Sequence, residues 1–136
     1  MFELFEHTAD LGLRVRAGTL EDLLAEAARG LLTMLVANPA AVRPLHVRTV
    51  ELTAAEPSYL LFDWLNELLY AFEKDKLLLA EFEIQLYDGN LKAICRGEPM
   101  DPARHEMDHE VKAITYHGLR VVQTKDGWEA EVIVDI

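Results

Sequence analysis

In this 136-residue chain, the last two residues are the clearest candidates for chemistry. The β-branched, strand-like run from Glu131 to Ile136 places the Asp135 carboxylate one residue from the carboxyl group of Ile136. Hard cations such as Ca²⁺, Mg²⁺ and Mn²⁺ bind oxygen ligands, so a third acid from elsewhere in the chain would complete a metal site at this strand tip. The alternative is a docked final strand whose aspartate is simply solvated.

A second pattern, HEMDH at residues 105–109, matches the H-E-x-x-H signature of zinc metalloproteases. That chemistry requires both histidines on one face of a helix. Pro99 and Pro102 lie just upstream and a strand-like segment starts two residues downstream, so a helix here would be unsupported. The third histidine of the longer metzincin pattern is replaced by Thr115. We therefore predict a polar connecting loop and no zinc site.

Other catalytic signatures are absent from the sequence. It contains no G-x-S-x-G, no P-loop and no dinucleotide-binding glycine pattern. Cys95 lies in an alternating segment and is predicted to be a core or strand residue. Asp63 and Glu67 could bind a cation, but they are predicted to form a solvated helix face. Trp64 and Trp128 are predicted to pack in the core or in a strand, because no basic residues interleave them. From this chemistry alone no enzyme class emerges.

The composition narrows the classes of partner. Thirteen basic and 24 acidic residues give a formal net charge of −11, which opposes direct binding to a phosphate backbone. The chain has neither a signal-peptide pattern nor an apolar window of about 18 residues that could span a membrane. A single cysteine cannot form an internal disulfide and fits a reducing compartment. We therefore expect a single cytoplasmic domain with no membrane partner and no strong nucleic-acid binding.

Apolar periodicity and turn residues predict the elements that must position these groups. Thr19 is expected to cap a first helix that ends at Asn38-Pro39, and Pro57 is expected at the first position of a second helix. Two hairpins are predicted around the turns at residues 88–90 and 125–127. The predicted strands comprise residues 2–5, 11–16, 47–52, 82–86, 91–95, 111–116, 119–123 and 128–135, with a short loop or bulge at 6–10.

The order of these elements predicts two nested copies of one plan. The fold class is α+β, with two strand-helix-strand-strand modules, largely antiparallel sheets and two long helices. An outer module of about residues 1–38 and 111–136 would enclose an inserted module of about 46–98. This nesting brings the first strands and the final hairpin into one unit. Asp10 could then lie close to Asp135 although the two are far apart in sequence.

Six segments of the chain, taken in order, resemble motifs of the archease family. They are the sequences EHTADLG at residues 6–12, DWLNELLY at 63–70, RGE at 96–98, the stretch 101–105, EVKAITYH at 110–117 and IVDI at 133–136. The resemblance covers essentially the whole chain. It implies the nested two-module fold described above.

The resemblance also implies a function and a site. Archeases are non-catalytic activators of the RtcB-type RNA ligase, which joins RNA ends in tRNA splicing and RNA repair. Activation implies faster ligase guanylylation by GTP, multiple turnover and a broader choice of nucleotide. A divalent cation, with calcium first and manganese or magnesium as alternatives, would be held by Asp10, Asp135 and the carboxyl group of Ile136. The activating lysine of the family falls on Lys112.

A different class of function remains open. The acidic surface would also suit a metal-independent adaptor or chaperone for RNA-processing proteins. The two hypotheses differ in one expectation, since an adaptor should bind neither Ca²⁺ nor Mn²⁺ at Asp10 and Asp135.

Overall fold

The structure is a computed structural model that describes residues 1–7, 9–53 and 56–136. Eleven elements follow one another within those ranges. They are β1 (Phe2–His7), β2 (Asp10–Ala17), α1 (Leu20–Leu35), a 3-10 turn (Pro39–Ala41), β3 (His46–Thr53), α2 (Pro57–Asp75), β4 (Leu77–Tyr87), β5 (Asn90–Pro99), β6 (Ala113–Ile114), β7 (Arg120–Thr124) and β8 (Gly127–Asp135).

The strands form two antiparallel sheets, and the predicted α+β class with two nested modules is confirmed. In the first sheet the order is β1-β2-β8, and the other edge of β8 pairs with β6 near its end and with β7 along its beginning. The second sheet has the order β3-β5-β4. Both ends of the chain therefore contribute to the first sheet, whereas the second is drawn wholly from the middle.

Both helices begin where their capping residues predict. The Thr19 hydroxyl accepts a hydrogen bond from the Asp22 N–H (3.1 Å), and Pro57 occupies the first turn of α2. The apolar stripes of both helices are buried, and Trp64 of α2 is fully buried. Its indole N–H donates to the Leu24 carbonyl of α1 (2.8 Å), which ties the two helices together. Neither helix is long and apolar enough to cross a lipid bilayer.

The bounds of four strands differ clearly from the predictions. β4 and β5 extend well beyond the predicted segments, because the chain passes a β-bulge between Leu79 and Glu81 and continues pairing. β6 is only two residues long, since β7 occupies the next part of the same edge of β8. β2 begins at Asp10, which was expected in a loop, and within the predicted 6–10 loop Thr8 lies outside the described residues.

Candidate functional site

The strand-tip acids are neighbours in the first sheet. Asp10, the first residue of β2, pairs in register with Asp135, the last residue of β8. On its other side Asp135 pairs with Ala113 of β6. The nested topology thus brings together two acids from opposite ends of the chain, and the residue after Lys112 lies beside them.

Both carboxylates point away from the core. Directly paired residues in an antiparallel sheet have side chains on the same face, and successive residues alternate between faces. The next pair, Leu11 and Val134, is buried against the helices, so Asp10 and Asp135 lie on the opposite face. Asp135 is exposed and Asp10 is half-buried. Like charges that face each other across a strand pair repel, and a bound cation would remove that repulsion.

The donor set fits a hard divalent cation. Ca²⁺ takes about six to eight oxygen ligands and Mg²⁺ about six, and carboxylates are the commonest side-chain source. Among the residues that the structure describes, no three histidine, cysteine, aspartate or glutamate side chains form a metal-binding group. Asp10 and Asp135 would supply two side-chain ligands, and the third predicted ligand is the main-chain carboxyl group of Ile136. The Ile136 side chain is half-buried and packs against the core, which fixes its backbone at the tip.

The backbone of Lys112 is hydrogen-bonded to the same strand tip. Its N–H donates to the Asp135 carbonyl (2.7 Å), and its side chain is exposed. The side chain lines a groove of about 350 Å³ between β6 and α2, together with Asn66, Tyr70 and Glu73. Its ammonium group is therefore presented at the α2 side of the tip, whereas the two aspartates project from the outer face of the sheet.

The HEMDH segment is a connecting loop, as predicted, and not a zinc helix. It contains no helical residues, and Met107 forms an isolated bridge with Val36. His105 is buried, and its Nδ1 accepts the Asp101 N–H (2.9 Å), so its Nε2 carries the proton. His109 is half-buried and lies 3.8 Å from the Asp108 carboxylate. The two histidines therefore have separate partners.

A buried ionic cluster centred on Glu98 was missed by sequence reasoning. The Glu98 side chain accepts hydrogen bonds from the Arg43 N–H (2.6 Å), from the His105 Nε2 (3.1 Å) and from the Arg104 guanidinium. These bonds, led by that from Arg104, lower the pKa of Glu98 to about 2, although burial acts in the opposite direction. The only sequence signal was the motif resemblance at 96–98 and 101–105, because burial of a glutamate cannot be deduced from its type.

The Glu98 cluster holds in place the start of the loop that leads to Lys112. Beyond it, the loop follows the end of α1: the Asp108 N–H donates to the Leu35 carbonyl and the His109 N–H to the Met34 carbonyl (both 2.9 Å). The loop then reaches Asp135 through the N–H of Lys112. Lys112 is thus held at the tip by a continuous series of contacts.

We expect Glu98→Gln to weaken the pH dependence of the free energy of unfolding at acidic pH. The folded-state pKa of about 2 lies below the usual value of about 4.3, so ionised Glu98 stabilises the fold above that value. This stabilisation is lost as the pH falls from about 4.3 toward 2. Urea unfolding at pH 7, 5, 4 and 3 measures it. Glu51→Gln, a change at an exposed strand position, is the matched control. If Glu98→Gln retains the wild-type slope between pH 5 and 3, the assignment is wrong.

Cys95 is a fully buried strand residue, as predicted. Burial raises the pKa of its thiol to about 12, so the reactive thiolate is not populated near neutral pH.

The described residues form an α+β protein with two antiparallel sheets, two helices and paired aspartates at one strand tip. Comparison with known proteins shows its family. The profile of the Archease protein family (MTH1598/TM1083) matches residues 2–136. The protein archease of Methanopyrus kandleri is 40% identical over 139 residues, which cover 99% of each chain. That of Methanosarcina acetivorans is 37% identical over 140 residues, covering 99% of this chain and 95% of the relative. The chain belongs to the archease family.

Solved structures agree with this assignment. The solution structure of Methanobacterium thermoautotrophicum protein 1598 matches with a TM-score of 0.82 and 30% identity, over 99% of this chain and 98% of that one. A crystal structure from Thermotoga maritima, described as an archease and possible chaperone, matches with a TM-score of 0.70 and 25% identity, over 100% of this chain and 98% of that one.

Proposed function

We propose that this protein is a non-catalytic activator of an RtcB-type RNA ligase in cytoplasmic tRNA splicing and RNA repair. It promotes guanylylation of the ligase by GTP, sustains multiple turnover and broadens the choice of nucleotide. The observation that carries the proposal is the strand tip, where Asp10 and Asp135 pair in register and Lys112 is bonded to Asp135. A charged tip on a rigid sheet can enter a pocket of a partner that handles phosphates.

The residues of this chain have separate roles in the proposed mechanism. Asp10, Asp135 and the carboxyl group of Ile136 would hold a divalent cation, with Ca²⁺ first and Mn²⁺ or Mg²⁺ as alternatives. When bound, the cation supplies positive charge that offsets phosphate charge. Lys112 presents a compact ammonium group at the same tip, where it can bind a nucleotide phosphate oxygen. The formal charge of −11 keeps RNA off the rest of this surface, so the RNA stays with the ligase.

The Lys112 role is tested by ligation under multiple turnover. With the ligase limiting, wild-type protein is expected to sustain many ligations per ligase molecule, and Lys112→Ala to reduce the multiple-turnover ligation rate by about a hundredfold, the cost of removing one charge-stabilising donor. Lys125→Ala, a change in the exposed turn before β8, is the matched control. The protein without ligase should join no RNA ends. The proposal fails if wild-type protein leaves the ligase at a single turnover, or if Lys112→Ala sustains wild-type turnover.

A metal-independent adaptor or chaperone is the second candidate. It draws support from the description of the Thermotoga maritima relative and from the strongly acidic surface. Titration calorimetry separates the two candidates: the activator should bind Ca²⁺ or Mn²⁺ in the absence of any partner, whereas the adaptor should bind neither.

A further inference from the structure

Three tyrosines near the strand tip are unusually exposed for aromatic side chains. Tyr59, Tyr70 and Tyr116 keep 52%, 53% and 59% of their surface accessible. Tyr59 and Tyr70 belong to α2, and Tyr116 follows β6. Single exposed apolar side chains are common on soluble proteins, but several on one surface mark an interaction site. We call this surface, together with the residues between them, the tyrosine face.

The aromatic rings at one end of the tyrosine face are preorganised. The Tyr116 ring stacks on Phe62 with centroids 3.9 Å apart and planes at 12°. Tyr59 approaches Tyr116 edge-on, with centroids 6.3 Å apart and planes at 73°. Rings already fixed by their neighbours lose little conformational freedom when a partner covers them. Tyrosine is also among the residues most enriched at the energetic centres of protein interfaces.

The tyrosine face is continuous with the groove beside Lys112. Tyr59, Phe62, Asn66, Tyr70 and Glu73 recur at spacings of three and four, so they share one face of α2 over about 21 Å. The last three of them line the groove that also contains Lys112 and Ala113. A partner that covers the tyrosines therefore reaches the strand tip as well.

Acids flank the aromatic residues. Asp63, Glu67 and Glu73 lie on or beside the tyrosine face, and none of the three forms an ion pair with another described residue. Two lysines stand at the far end: Lys112 in the groove, and Lys74, whose ammonium lies 5.7 Å from the centre of the Tyr70 ring. The acids are therefore available to a partner's cations.

We propose that the tyrosine face is the docking surface for the ligase, an inference that rests on the proposed function. A ligase that binds RNA and GTP must carry arginines and lysines to attract phosphates, and such a surface complements acids that surround exposed aromatic rings. Docking there also brings Lys112, which lines the same groove, against the partner.

Two other occupants fit the charges less well. A second copy of this chain would bring acids against acids, with a net charge of −11 on each side. Single-stranded RNA stacks on aromatic rings only where a basic groove tracks its backbone, and the acids along the same side of α2 oppose it.

The test measures the affinity of the intact protein for the intact ligase at 50 and 300 mM salt, by biolayer interferometry. The aromatic variant is Tyr59→Ala/Tyr116→Ala, with the equally exposed Tyr87→Ala as control. The charge variant is Glu67→Lys/Glu73→Lys, which changes only exposed side chains; its control is Glu51→Lys/Glu81→Lys. The aromatic variant and the charge variant are each expected to raise the Kd for the ligase by about tenfold or more, and the controls by less than about threefold. The charge variant should also lose the salt dependence of the wild type.

The outcomes separate this inference from the proposed function. If wild-type protein stimulates the ligase and the charge variant binds it as tightly as wild type does, the docking proposal is overturned and the activator function stands. If wild-type protein neither binds nor stimulates the ligase, both are overturned. Self-association, or binding of a single-stranded RNA, that the aromatic variant abolishes would overturn the assigned partner. Melting curves followed by circular dichroism confirm that each variant is folded.

Discussion

Replacing Asp135 by asparagine is expected to abolish both the thermal stabilisation of this protein by Ca²⁺ and its stimulation of the ligase. Asp10 and Asp135 face each other across β2 and β8 on the side away from the core. A cation whose free concentration is about a hundred times its Kd stabilises the folded state by about 2.7 kcal/mol. For a domain of this size, that corresponds to a Tm gain of roughly 10 °C. Asparagine keeps the shape of the side chain but removes one of the charged ligands.

The apo protein gives this prediction an internal control. Without metal, Asp135→Asn should not lower the Tm, because it removes one of two like charges that face each other. Asp126→Asn, in the exposed turn before β8, should keep the full response to Ca²⁺. Melting curves with Ca²⁺, with Mn²⁺ and with a chelator provide the measurement. A Tm gain of equal size in Asp135→Asn and wild type would contradict the metal assignment.

A second large effect is expected from Gly97→Ala. Gly97 lies in β5 opposite the β4 bulge, and a Cβ added there would be only 1.7 Å from the Leu78 carbonyl oxygen. Backbone atoms cannot move aside as a flexible side chain can, so the strands must separate at this point. We expect a loss of about 3 kcal/mol in the free energy of unfolding. Because Glu98 follows directly, the loop that holds Lys112 should also loosen.

Gly18→Ala is the matched control for this substitution. A Cβ at Gly18 meets no atom within 4 Å, and Gly18 has no positive φ that would strain alanine. Its effect should stay within about 0.5 kcal/mol. Chemical denaturation of both variants checks the pair. A loss below about 1 kcal/mol for Gly97→Ala would show that the close approach of the two strands is not required.

Local signals in the sequence predicted most of the fold. Thr19 and Pro57 marked the starts of the helices because capping and the missing proline N–H act within one turn. The turn at Asp88-Gly89 was predicted because both residues tolerate the positive φ that the structure shows, 48° and 76°. Such signals need only neighbouring residues, which the sequence displays directly.

Features that depend on distant residues could not be predicted in this way. β6 is short because β7 competes for the same edge of β8, and the ends of a strand pattern do not reveal this competition. Glu98 is buried because cations from two other segments surround it. The tyrosine face arises where Tyr116 of one module stacks on Phe62 of the other. In each case the partner is non-local.

The candidate site lies between these two cases. Acidic residues at Asp10 and Asp135 were visible, and the predicted nesting gave a reason for them to approach each other. Their registered pairing across β2 and β8, and the bond from the Lys112 N–H to Asp135, required the structure. Their assignment to metal binding and activation came from the family resemblance, and it stays a proposal.

If the strand tip activates the ligase, the first step that should respond is ligase guanylylation. The measurement is the rate at which the ligase becomes covalently labelled by labelled GTP, with no protein, with wild type, with Asp135→Asn and with Lys112→Ala. We expect faster labelling with wild-type protein, and labelling at the unassisted rate with either variant. Unassisted labelling in the presence of wild type, or equal acceleration by all three proteins, would contradict it.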